Sequence, residues 1–92
     1  MLSDADIFTL RAGLIVEQID GECLVLDMSR NVYFGLDAVA LFIWTMLERG
    51  DAFGEIVAAL SERYADVPRE QLRQDACEFV EQLLAQELLS RK

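Results

Sequence analysis

The dipeptide Asp20-Gly21 separates two short apolar runs, Leu14 to Ile19 (LIVEQI) and Cys23 to Met28 (CLVLDM), and it restricts how they can fold. A two-residue turn of type I′ needs positive φ at both central positions, which aspartate tolerates and glycine takes freely. The two runs are therefore expected to pair as antiparallel strands. Side chains alternate along a strand, so Leu24, Leu26 and Met28 share one face and Cys23, Val25 and Asp27 the other. Ser29-Arg30-Asn31 is a second tight turn, with Asn31 suited to the left-handed region. Val32 to Leu36 (VYFGL) then supplies a third strand, which completes an antiparallel meander. Gly35 weakens the interior of that strand and marks a bulge, a kink into the next element or a close approach by another backbone.

From Asp37 onward the apolar period becomes helical. Asp37 is a good N-cap, Ala38 to Arg49 form the first helix, and Gly50 stops it. The run AVALFIWTML is apolar nearly all round, which suits a helix central to the core or one that is half core and half docking surface. Asp51 is expected to cap a second helix, Phe53 to Tyr64, and Pro68 to occupy the first position of a third that runs to about Leu89. Strands first and helices after give an α+β fold, a three-stranded antiparallel meander followed by three helices. Residues 1–12 show no firm period and read as a flexible lead-in to a domain spanning 13–92.

On the third helix, at 100° per residue, Leu72, Ala76, Phe79 and Leu83 fall together as the core stripe. Cys77, Val80, Leu84 and Leu88 lie beside them, with Arg73 at the same azimuth. The apolar arc approaches half the circumference, wide enough for a broad core, a homodimer seam or one wall of a groove.

The composition excludes much chemistry. Seventeen acidic residues against eight basic ones leave a net charge of −9, spread along the whole chain. Such a surface repels phosphate backbones, so nucleic acid is an unlikely partner and a basic peptide a natural one. Without histidine there is no imidazole base and no mixed Cys/His zinc site. Cys23 and Cys77 are too few for a disulfide framework and suit reduced thiols in a cytoplasm. The first residues carry Asp4 and Asp6 and no basic group, unlike a signal peptide, and the uncharged run Ala38 to Leu47 is too short to span a membrane. No nucleotide-binding glycine loop, zinc helix or calcium loop is present, and no cofactor, metal or catalytic residue is expected.

What remains is a binding module. The third strand lies at the edge of a meander and offers unpaired N–H and C=O groups to an extended peptide. If the surplus flank of the third helix faces that edge, Cys77, Val80 and Leu84 form the pockets beside it.

The run Arg30-Asn31-Val32-Tyr33-Phe34-Gly35-Leu36-Asp37, followed by Ala40 to Trp44, resembles the strand and "a-x-x-I-W" helix of PqqD-like proteins. Gln74 to Leu83, ending in Leu88-Leu89, is similar to that family's last helix. The resemblance covers about residues 13–90. Asp37 replaces the usual asparagine and keeps the cap, while Glu87 stands where the family prefers glycine and is expected to lengthen the last helix. The resemblance implies a winged-helix-like recognition element that binds the leader of a ribosomally made precursor peptide. It also implies delivery to a partner enzyme, either a radical-SAM maturase or a leader peptidase with a cyclase. Carried onto this chain, the strand contacts are Val32, Tyr33, Phe34 and Gly35, and the helix contacts are Arg73, Cys77, Val80 and Leu84. Asp75 matches an acidic helix position that serves the ligand or the helix itself. The competing readings are a winged-helix regulator, for which the helices carry too few basic residues, and a structural homodimer.

Overall fold

Eight elements follow one another in the computed structural model, which describes residues 2–92: β1 (Phe8–Leu10), β2 (Leu14–Ile19), β3 (Glu22–Asp27), β4 (Val32–Leu36), α1 (Ala38–Arg49), α2 (Phe53–Arg63), α3 (Arg69–Ala85) and β5 (Leu89–Arg91). The meander is present with strand order β2-β3-β4, all antiparallel. Asp20 and Gly21 take φ of 51° and 79°, as the type I′ turn requires, and Asn31 takes 56°. Val25 is fully buried and Cys23 and Asp27 nearly so, which makes theirs the face laid on the helices.

Asp27 is the buried polar residue of that face. It pairs with Arg11, accepts the Ser29 hydroxyl at 2.8 Å and accepts the Arg30 backbone N–H at 3.3 Å. One carboxylate thus holds the β3–β4 turn and the chain entering β2. Burial alone would raise its proton affinity, but the hydrogen bonds from Ser29, Arg11 and Arg30 outweigh that and keep it below the usual carboxylate range.

Helix α1 occupies the expected span. Asp37 Oδ1 accepts the Ala40 N–H at 2.8 Å, and Gly50 closes the other end at φ 83°. Helix α2 starts as expected but is capped differently. Its N-cap is Ala52, not Asp51, and the free N–H groups of its first turn go to the N-terminal segment. Phe53 N–H donates to the Asp6 carbonyl at 2.9 Å and Gly54 N–H to the Asp4 carbonyl at 3.0 Å, while Glu55 accepts from Ala52 N–H at 2.7 Å. A side-chain cap is unnecessary where another segment supplies the acceptors.

Residues 2–12 are accordingly no loose lead-in, and Met1 lies outside the described residues. β1 pairs antiparallel with β5, and Leu2 and Phe8 are core residues at 4% and 3% exposure. The domain includes them. The third helix is also shorter than its apolar pattern suggested. It ends at Ala85, and Glu87 adopts φ 61° without extending it. Leu88 N–H donates to the Leu83 carbonyl at 3.0 Å and Glu87 N–H to the Leu84 carbonyl at 3.1 Å, the bonding of a Schellman stop. Leu88 and Leu89 turn back into the core, and the chain leaves as β5. Pro68 stands one residue outside α3, as its N-cap.

Candidate functional site: the β4 edge and the hollow beside it

β4 is an outer strand of the three-stranded sheet, and no described strand pairs with its far side. Its pairing with β3 runs unbroken from Asp27↔Val32 to Cys23↔Leu36, so Gly35 marks no bulge. A Cβ at Gly35 would meet Leu24 Cδ2 at 3.8 Å and the Cys23 carbonyl at 3.9 Å, ordinary contact distances. Nothing in the fold itself requires glycine there. Val32 and Tyr33 are 52% and 70% exposed, and Phe34 is half-buried against Trp44, edge to face with ring centroids 6.1 Å apart. The four strand residues named from the sequence therefore lie together on an open edge.

A hollow of about 270 Å³ opens just past the end of β4, at Asp37. Its floor is Val39, Ala40 and Ile43 of α1, and its far wall is Asp75 and Phe79 of α3. Asp75 accepts from the Gln71 side chain at 2.9 Å. At the other end of β4, Arg30 Nη1 donates to the Gln86 carbonyl at 2.6 Å and ties the β3–β4 turn to the end of α3.

The helix residues named from the sequence are distributed otherwise. The buried stripe of α3 is Leu72, Ala76, Val80 and Leu83. Val80 has no exposed surface and offers a ligand nothing to touch; it is core. Asp75 and Phe79 border this stripe on one side, while Arg73, Cys77 and Leu84 border it on the other. Arg73 Nη1 lies 2.5 Å from Asp4 Oδ1, and its guanidinium stacks on the Phe53 ring at 5.1 Å. Cys77 lines a separate hollow with Leu2, Phe53 and Arg73. Its thiol is pushed up by burial and then by the neighbouring Glu81 carboxylate, so it is a poor nucleophile. Arg73 thus ties the N-terminal segment, through Asp4, to α3 and to Phe53 of α2.

Helical spacing places Phe79 in the core stripe, yet it is half-buried at the stripe's border. Helical period locates an apolar arc but not which of its borders faces a sheet edge. Among the described residues, no His, Cys, Asp or Glu group is placed to hold a metal, and no helix is long and apolar enough to cross a membrane.

The site and fold define a small α+β domain built around an open sheet edge backed by a helix. The chain belongs to the PqqD family: the family model, "Coenzyme PQQ synthesis protein D", matches residues 22–89. Two solved structures share the fold. TbiB1 in complex with the TbiA(beta) leader peptide is 35% identical, with a TM-score of 0.78 over 89% of this chain and 94% of that one. A lasso peptide synthetase B1 complexed with its leader peptide is 25% identical, with a TM-score of 0.80 over 90% and 96%. No curated protein matches.

Proposed function

We propose that this chain is a non-catalytic recognition element for the leader of a ribosomally made precursor peptide, working in the cytoplasm. The leader adds as a strand to β4, with main-chain bonds supplying affinity and the adjoining hollow supplying specificity. The observation that carries this reading is that two structures of the same fold, at 35% and 25% identity, hold leader peptides. The exposed β4 edge and the hollow between α1 and α3 support the same placement.

Val32, Tyr33, Phe34 and Gly35 present the receiving strand, and Gly35 gives an incoming backbone room that a side chain would take. Phe79 and Asp75 form the helical wall. An apolar leader side chain rests on Val39, Ala40 and Phe79, and a neighbouring cation meets the Asp37 and Asp75 carboxylates. The charge of −9 draws a basic leader toward the domain, an attraction that weakens with salt. The bound leader then passes to a partner enzyme, a radical-SAM maturase or a leader peptidase acting with a cyclase; the two B1 relatives favour the second.

Calorimetric titration with the TbiA(beta) leader and with leaders of other lasso precursors tests the proposal. Binding of at least one, lost in Phe79→Asp while the fold persists, is the expected result. Binding that ignores Phe79→Asp and every β4 substitution would reject the site.

A further inference from the structure

Helix α1 has apolar side chains on nearly every side, and the fold consumes only part of them. Ile43, Trp44, Met46 and Leu47 are buried, and Val39 and Ala40 open toward the hollow beside β4. On the opposite side of the helix, Leu41, Phe42, Thr45 and Arg49 follow one helical stripe. Together with Ala59 and Arg63 of α2 they wall an open groove of about 440 Å³. From Leu41 to Arg49 the stripe runs roughly 12 Å, about two helical turns.

The charge of this groove departs from that of the molecule. In a chain of net −9, its polar rim carries two arginines. The Arg63 guanidinium carbon lies over the Phe42 ring, 5.2 Å from its centroid, and 6.0 Å from that of Tyr64, and among the described residues no carboxylate pairs with it. Arg49 touches Asp51 at 3.5 Å but remains 67% exposed. A guanidinium stacked on a ring keeps its N–H edge directed outward, the geometry that takes a carboxylate with two parallel bonds.

We propose that this outer face of α1 docks an acidic amphipathic helix of a partner protein. Apolar side chains of that helix lie between Leu41, Phe42 and Ala59, and one of its carboxylates binds Arg63. The rim arginines, not the net charge of the body, select the acidic occupant, and Arg63 supplies the contact. The groove lies across α1 from the hollow walled by Phe79. Occupation of this groove does not depend on leader binding at β4.

The test titrates the isotope-labelled full chain, at physiological salt, with the amphipathic peptide Ac-EALLEELAALLEEL-amide and with its neutral counterpart carrying glutamine at every glutamate. The acidic peptide should shift the amide resonances of Leu41, Phe42, Thr45, Ala59 and Arg63 and bind several-fold more tightly than the glutamine peptide. Arg63→Glu should reverse that order, and Arg63→Gln should weaken the acidic peptide without inverting it, while leader titrations stay unchanged in both. Equal binding of the two peptides, shifts confined to β4 or to the sheet, or indifference to both Arg63 variants would overturn the proposal. So would light scattering that finds a dimer dissolved by Arg63→Glu.

Discussion

Arg30 and Gln86 meet across the end of the β4 edge: the Arg30 Nη1 donates to the Gln86 carbonyl at 2.6 Å. The bond joins the turn that precedes β4 to the C-cap of α3. Arg30 is also near Asp27 at 3.8 Å and Glu87 at 3.9 Å, so the turn is anchored on both sides. Arg30→Ala should therefore loosen the spacing of strand and helix more than it destabilises the exposed surface. Leader affinity should fall several-fold in calorimetry, while the unfolding free energy changes by about 1 kcal/mol or less.

The two flanks of α3 make opposite predictions. Phe79→Asp, at the border facing the hollow, should weaken leader binding by about tenfold or more with the fold intact. Cys77→Glu, at the other border, should leave binding within about two-fold. Val80→Asp places a carboxylate where no surface is exposed and should cost several kcal/mol, read as a collapse of the thermal transition.

Gly54 gives a prediction whose sign is set by packing. Alanine inside a helix is favoured over glycine by about 1 kcal/mol. Here an added Cβ would come within 2.8 Å of Asp4 Cβ and 3.2 Å of the Asp4 carbonyl, which itself accepts the Gly54 N–H. Gly54→Ala should thus destabilise, or free the N-terminal segment, with a lower melting temperature and faster amide exchange at Asp4 and Asp6. A higher melting temperature would contradict the contact.

Glu87 holds φ 61° at the end of α3, where glycine would be unstrained. Glu87→Gly removes a left-handed penalty of about 1 kcal/mol and loses a long, exposed ion pair with Arg30. Urea unfolding should show a net gain of roughly 0.5 kcal/mol, reduced by the entropy of a freer unfolded chain.

Stability should also depend on Asp27. Its carboxyl is held below the ordinary range in the folded state, so its contribution is complete above the unfolded value and is lost as pH falls through the folded one. Unfolding free energy should decline below about pH 4. Asp27→Asn should flatten that decline while lowering stability near neutrality.

Local chemistry was readable where one residue decides a backbone angle. Asp20-Gly21, Asn31, Asp37 and Gly50 specified their turns and caps, and with them the meander and α1. The open edge followed from strand order in a meander. Two features were hidden because they depend on segments distant in sequence. The N-terminal residues carry no period, yet carbonyls of Asp4 and Asp6 cap α2, and Leu2 and Phe8 complete the core. The choice between Phe79 and Cys77 as groove wall depends on which side of α3 meets α1, and helical spacing gives an arc without that orientation. Glu87 misled for a related reason: its side chain favours helix, but the burial of Leu88 and the pairing of β5 with β1 decide the stop.

Amide hydrogen exchange along β4, measured with and without a leader peptide that binds, tests strand addition most directly. Only alternate N–H groups of an edge strand point outward, so new protection should appear at alternate positions between 32 and 36 and leave the β2 edge unchanged. Protection that is absent from β4, or uniform along it, would contradict pairing of the leader with this strand.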